Sequence, residues 1–301
     1  MDKLVILKTE KSNEKSRNID RLDTIGILSL INQEDSVVPI AVSKEIEHIA
    51  KAVDLINPRM QEGGRLIYIG SGSSGRMGVL DAAECPPTYG TDPSDVVGII
   101  AGGKEAMFVA QEGAEDDFEQ GKLDLAHYNL TAKDSVVGIA ASGRTPYVLG
   151  ALDYAREVGA LTIGLSGVAD SPVSNAADIA ITPECGPEVV TGSTRMKNGT
   201  AQKLVLNMLT TSLMIKQGKV FGNLMVDLKA TNIKLVERSN RVLMTVTGIN
   251  REEAEILLAE ADGHVKTAIV MYWFRCKAAE AREKLSRVNG QLNLLKAEME
   301  N

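Results

Sequence analysis

Apolar positions along the chain gather into five short runs, at residues 66–69, 96–101, 135–141, 161–165 and 179–181, rich in β-branched side chains. Between most of them the spacing is helical. This βαβ rhythm predicts an α/β fold: a doubly wound, parallel sheet of about five strands flanked by helices, with ligands at the carboxyl ends of the strands. Helical patterning also predicts helices at residues 24–30 and 43–56, the second stopped by Asn57 and Pro58. A long helix is predicted at residues 195–216, capped by Ser193 or Thr194. Its apolar face, with Leu204, Leu206, Met208, Leu209 and Leu213, would cover either the sheet or a subunit interface.

The two ends differ in style from this middle. A polar arm runs to about residue 20. In the tail an A-x-x-x-L element occurs at Ala254 to Leu258 and again at Ala281 to Leu285, each followed five residues later by Gly263 or Gly290. Two copies are too few for a solenoid. They predict a small helical module at residues 241–301, behind a hinge at residues 248–250, with the ligand-binding domain in residues 1–240.

Composition narrows the function classes. The chain has 301 residues, 44% of them hydrophobic, enough to bury a large core. Its net charge of −7 gives no basic footprint, so nucleic acid is not an expected partner. The first residues show neither a signal peptide's apolar core nor a membrane-length apolar span, so no membrane association is expected and the cytoplasm is the expected compartment. Cys85, Cys185 and Cys276 are odd in number and widely spaced, which suits reduced packing residues, although Cys85 could be a nucleophile. His48, His127 and His264 lack metal-ligand spacing, and no metal is expected.

Candidate chemistry concentrates where strands end. After the run at 66–69 come Gly70, Ser71, Gly72, Ser73, Ser74 and Gly75, opening a helix. Free N–H groups at such a helix start, the positive end of its dipole and the serine hydroxyls suit a phosphate. Gly70, Gly72 and Gly75 also satisfy the dinucleotide pattern G-x-G-x-x-G. That pattern requires an acidic residue closing the next strand, and the run at 96–101 leads instead into Gly102, Gly103 and Lys104. A phosphate on a small molecule fits better. A second loop, Ser142, Gly143, Arg144 and Thr145 before Pro146, is a ready helix N-terminus, and two such loops can converge on one sugar phosphate. Arg144 is either a solvated charge or a ligand contact.

Carboxylates supply the acid–base candidates. Glu84 stands just before Cys85, Pro86 and Pro87, which predicts the C-terminal end of the helix begun at Gly75. There the helix dipole opposes its charge, and apolar surroundings would favour the protonated acid further. Glu115 lies in an acidic run with Glu112, Asp116, Asp117 and Glu119, where spacing alone does not single it out. Glu188 either touches a ligand or caps a turn.

Taken together, GSGSSGRMGVLDAAECPPTYG, EGAEDD, ASGRTPY and GPEVVTGSTRMKNGTAQKLVLNML resemble the N-acetylmuramic acid 6-phosphate etherase family of the sugar isomerase (SIS) superfamily, over nearly the whole chain. The resemblance implies a SIS-type catalytic domain with a UBA-like tail, and a homodimeric lyase acting in peptidoglycan recycling. It implies loss of D-lactate from C3 of the phosphosugar, giving N-acetylglucosamine 6-phosphate without a cofactor. By motif position, Glu84 carries over as the acid and Glu115 as the base, with Ser71, Gly72, Ser73, Ser74, Ser142, Gly143, Arg144 and Thr145 around the substrate. The arm departs from the family pattern at Ser12 and Glu14, which puts any arm contact to ligand in doubt, and Asn198 replaces a small residue. Two rivals share the fold. An aldose-ketose isomerase needs no leaving-group acid, and a non-catalytic sugar-phosphate sensor carries a duplicated domain for which this chain has no room.

Overall fold

In the computed structural model, which describes Thr9, residues 11–228 and residues 233–300, the described residues form two compact units. One comprises the chain up to Ala83 together with Ser94–Leu209; the other comprises Glu84–Pro93 and the residues from Thr210 onward.

The first unit opens with helices α1 (Thr24–Asp35), α2 (Val38–Ser43) and α3 (Ile46–Gln61), then alternates strand and helix. β1 (Leu66–Gly70) leads into α4 (Gly72–Tyr89), and β2 (Val96–Ile100) into α5 (Phe118–Ala126). β3 (Ser135–Ile139), α6 (Pro146–Val158), β4 (Leu161–Leu165), α7 (Pro172–Ala176), β5 (Ile179–Ile181) and α8 (Lys197–Lys216) follow. The five expected strands form one parallel sheet in the order β2-β1-β3-β4-β5. β1, β3 and β4 are buried along their whole length, as strands covered on both faces must be. Ile67, Ile69, Val136, Tyr147, Val148 and Leu152 belong to the core.

Helix boundaries differ from the sequence expectation in several places, at two of them because proline reads as a stop. α3 runs through Asn57 and Pro58 to Gln61, and its start is broken into two helices rather than beginning at Ser43. The buried stripe of Ile49, Ala52, Val53 and Ile56 outweighs the one N–H that Pro58 lacks. α4 begins at Gly72 and passes through Pro86 and Pro87 to Tyr89, where the Gly90 N–H donates to the Pro86 carbonyl at 2.9 Å. Glu84 is therefore inside the helix, not at its end, and it is exposed. α8 begins at Lys197, past Ser193 and Thr194, the residues expected to cap it. The carboxylate of Glu188 caps it, accepting from the Lys197 and Asn198 N–H groups at 2.9 and 3.0 Å and from Asn198 Nδ2 at 2.8 Å. Glu188 is fully buried, so of its two sequence readings the cap is the one observed. α8 buries Leu206, Leu209 and Leu213 while Met208 stays partly exposed.

The arm is tied down rather than solvated. Asn13 donates to Glu34 Oε2 at 2.7 Å and to the Pro187 carbonyl, and Ser16 donates to the Val189 carbonyl at 2.7 Å. The departures Ser12 and Glu14 point to solvent, where Glu14 pairs with Arg17; Glu10 lies outside the described residues. Glu34 also takes Lys197 Nζ at 2.9 Å and Lys15 Nζ at 2.8 Å, and Lys197 is 1% exposed. Residues Thr24–Ser43 have the length and apolarity of a membrane-crossing segment by composition. They form two helices, not one, and carry this ion-paired glutamate.

Burial alone would raise the Glu34 carboxyl, but hydrogen bonds from Lys15, Lys197 and Asn13, with the charge of Lys197, hold it down to about 2 from its ordinary 4.5. A folded-state value below the unfolded one stabilises the fold fully above pH 4.5, and that contribution, on the order of 3 kcal/mol, is lost as pH falls through about 2. Thermal melts of the native protein and Glu34→Gln between pH 6 and 2 should therefore show a stability gap that narrows below 4.5. A gap independent of pH would remove the ion pairs as its cause.

The second unit holds the hairpin of β6 (Val220–Phe221) and β7 (Leu224–Met225), then α9 (Ile233–Thr247), α10 (Arg251–Glu260), α11 (Val265–Phe274), α12 (Ala278–Arg287) and α13 (Leu292–Glu300). The repeat seen in the sequence is a repeated helix stop. Gly263 donates to the Leu258 carbonyl and Gly290 to the Leu285 carbonyl, both at 2.8 Å, while Ala254 and Ala281 are fully buried. In the expected hinge Asn250 caps α10 reciprocally with Glu253.

Candidate functional site

In register, Gly70 of β1 lies opposite Ile139 of β3, so the loops that follow these two strands start side by side at the carboxyl edge of the sheet. The strand order reverses between β1 and β3, the position where open α/β sheets leave a crevice. Ser71, Gly72, Ser73 and Ser74 stand on one side of it, and Ser142 to Thr145 on the other.

The first loop is set by close packing of helix on strand. A Cβ on Gly75 would come within 2.7 Å of both the Gly70 carbonyl and Ile100 Cγ1. The first ladder bond of α4 runs from the Gly75 N–H to the Ser71 carbonyl at 3.1 Å, so the N–H groups of Gly72, Ser73 and Ser74 precede the ladder. Ser71 and Ser73 are half-buried and Ser74 is buried. An anion placed there meets backbone donors, hydroxyls and the positive end of an 18-residue helix.

The second loop turns on Gly143, at φ +68°, where a Cβ would fall 2.2 Å from Ser171 Oγ. Its N–H donates to the Ala140 carbonyl and its own carbonyl accepts from Val173, both at 2.9 Å. Gly143 thus shapes the turn with its polar groups already engaged. Ser142, Arg144 and Thr145 are half-buried beside it, and Thr145 occupies the N-cap of α6 without a side-chain capping bond.

The acidic run is resolved by geometry. Asp117 caps α5 by accepting from the Gln120 N–H at 2.8 Å, an ordinary structural use. Glu115, on a single 3-10 turn (Ala114–Asp116), instead accepts a long hydrogen bond from Ser71 Oγ at 3.4 Å. Ser71, Gly72 and Glu115 share a cleft of about 410 Å³ with Arg76, Gln111 and Glu112. Sequence does not single out Arg76, because one arginine inside a glycine-serine motif carries no distinguishing spacing. Its Nε and Nη2 donate to the carbonyls of Met107 and Ala106 at 3.0 and 2.7 Å, tying the segment after β2 against the start of α4.

Glu84 is an exposed position of α4 and belongs to the other compact unit. Cys85 is 2% exposed, which suits packing. Burial first, then Glu188, raises the Cys185 thiol to about 11, so it is not an activated nucleophile. Among the described residues no group of three or more His, Cys, Asp or Glu side chains is placed to hold a metal ion. Two other hollows, of about 390 and 480 Å³, hold none of the candidate site residues.

Residues 120–212 match the SIS domain family, and residues 48–156 match the glucokinase regulatory protein N-terminal SIS domain. An N-acetylmuramic acid 6-phosphate etherase of Photorhabdus laumondii is 56% identical, covering 94% of each chain. One of Caldanaerobacter subterraneus is 56% identical over 95% of this chain and 94% of its own. One of Clostridium beijerinckii is 54% identical over 98% and 97%.

Proposed function

The chain belongs to the N-acetylmuramic acid 6-phosphate etherase family and cleaves the C3 lactyl ether of that phosphosugar, giving N-acetylglucosamine 6-phosphate and D-lactate, and from this premise we propose how its own residues act. Ser71, Ser73 and Ser74 with the α4 N-terminus, and Ser142 and Thr145 across the crevice, hold the phosphate. With the sugar ring open, C1 is an aldehyde and the C2 proton is acidic. Glu115 takes that proton, the C2–H electron pair forms the C2–C3 double bond, and the C3–O bond breaks onto oxygen. Glu84 protonates the departing lactate oxygen. Water then adds at C3 with Glu84 as base, and Glu115 returns a proton to C2. Binding energy from the remote phosphate holds C2 and C3 in place between the two acids.

The observation that carries this reading is the contact of Ser71 with Glu115: a phosphate-type helix start and a carboxylate meet in one cleft at the switch point of the sheet. The net charge of −7 fits a ligand held by local donors rather than by a general polyanion field. On this reading the enzyme is a cytoplasmic homodimer that acts in peptidoglycan recycling and binds neither membrane nor nucleic acid. Residues 1–240 carry the chemistry, without metal or organic cofactor, and residues 241–301 form a helical accessory module.

Ser73→Ala and Ser142→Ala test the phosphate assignment. Each should raise KM about tenfold or more, the worth of one hydrogen bond to a charged group, with a smaller effect on kcat. Unchanged KM in both variants would move the phosphate elsewhere.

A further inference from the structure

We propose that Arg76 is a positioning residue for proton removal: its guanidinium fixes the segment that carries Glu115 to the helix whose N-terminal end receives the phosphate. This rests on the reading above, in which Glu115 takes the C2 proton. The phosphate is on C6 of the sugar and the proton is on C2, so one substrate spans both groups. The distance from the start of α4 to the Glu115 carboxylate therefore has to be held to within the tolerance of a proton transfer. Arg76 stands four residues after Gly72, about one helical turn on and on the same face of α4. It lines the cleft with Ser71, Gly72 and Glu115.

The segment needs such a tie because it has little core of its own. Between β2 and α5, from Gly102 to Asp117, Ala106 is buried and Met107 and Ala114 are half-buried, while the other residues are exposed, Phe108 at 90%. Its regular structure is two 3-10 turns, Lys104–Met107 and Ala114–Asp116. Its backbone bonds are local, such as Ala106 N–H to the Gly103 carbonyl at 3.0 Å and Asp116 N–H to the Gly113 carbonyl at 3.2 Å. Local bonds shape a turn without placing it against the sheet. Ala114 packs on the core at one end of the segment. Toward the other end Arg76 donates from Nε to the Met107 carbonyl and from Nη2 to the Ala106 carbonyl, two bonds from one planar fork to successive residues. Gln111 packs back against Gly102 so closely that a Cβ there would meet Gln111 Cβ at 2.9 Å. What Arg76 fixes at Ala106 and Met107 is thereby passed on to residues 111–115.

Arg76→Met removes the fork and keeps an unbranched side chain in its place. Solvent-deuterium entry at C2 should slow by about 10²-fold, the cost of misplacing a reacting group by about 1 Å, while affinity for the product N-acetylglucosamine 6-phosphate, read by calorimetry, stays native. The double variant with Glu115→Gln should exchange no more slowly than Glu115→Gln alone, because Arg76 acts through that carboxylate. Exchange at the native rate in a folded Arg76→Met protein would overturn the proposal. Lost product affinity would overturn it too, by making Arg76 a support of the phosphate loops, as would a double variant that carries the full loss of both single variants. If thermal melts show that Arg76→Met does not fold, Arg76→Lys, which keeps the charge without the fork, is put through the same measurements and judged by the same outcomes. Glu115→Gln alone exchanging at the native rate would overturn instead the assignment of Glu115 as the base, and that is read first.

Discussion

Glu84→Gln is expected to slow D-lactate release by about 10²- to 10⁴-fold, the usual contribution of a positioned general acid, while solvent deuterium still enters C2 of the sugar. The separation follows from the roles. Exchange at C2 needs Glu115 and the ring-opened aldehyde, whereas loss of lactate also needs a proton on an oxygen that leaves poorly as an alkoxide. Glutamine keeps the volume of the side chain and removes the proton. Because Glu84 is exposed on its helix, the substitution should leave the fold within about 0.5 kcal/mol of native. Exchange and release measured on one sample by NMR decide the matter. Lactate release at the native rate would end the assignment of Glu84, and loss of both activities would make it a group needed before C2 chemistry.

Glu115→Gln should abolish both readouts, each by at least about 10²-fold, because proton removal at C2 comes first and every later step depends on it. The hydrogen bond it accepts from Ser71 is long at 3.4 Å, and it sits exposed on a three-residue turn, so the substitution disturbs little packing. A variant that still exchanges C2 at the native rate would place the base elsewhere in the cleft, with the neighbouring Glu112 the first to examine.

Which parts of the molecule were legible in the sequence follows from how each is held. The strands could be read because β1, β3 and β4 are buried on both faces and so must be apolar throughout. The two glycine-serine loops could be read because the turn at Gly143 and the close approach at Gly75 admit no Cβ. Helix ends were misread at Pro58 and at Pro86 and Pro87, where burial along the rest of the helix outweighs a missing N–H. Long-range partners were beyond reach. Nothing near Glu188 in sequence shows that it caps a helix starting nine residues later, nor does any local pattern join Glu34 to Lys197. From sequence, apolar surroundings would favour the neutral acid at Glu84; in the fold its side chain is exposed.

The asparagine at position 198 shows the same limit. From sequence it stands where a small residue is usual in the motif. In the fold it is buried and adds a side-chain bond at 2.8 Å to the carboxylate that caps α8.

The most direct test of the account is to incubate the protein with N-acetylmuramic acid 6-phosphate in oxygen-18 water and follow both products by mass spectrometry. Elimination followed by hydration predicts heavy oxygen at C3 of N-acetylglucosamine 6-phosphate and none in the hydroxyl of D-lactate. Heavy oxygen in lactate, with the C3 oxygen unlabelled, would mean cleavage on the lactyl side of the ether and would contradict the roles given to Glu115 and Glu84.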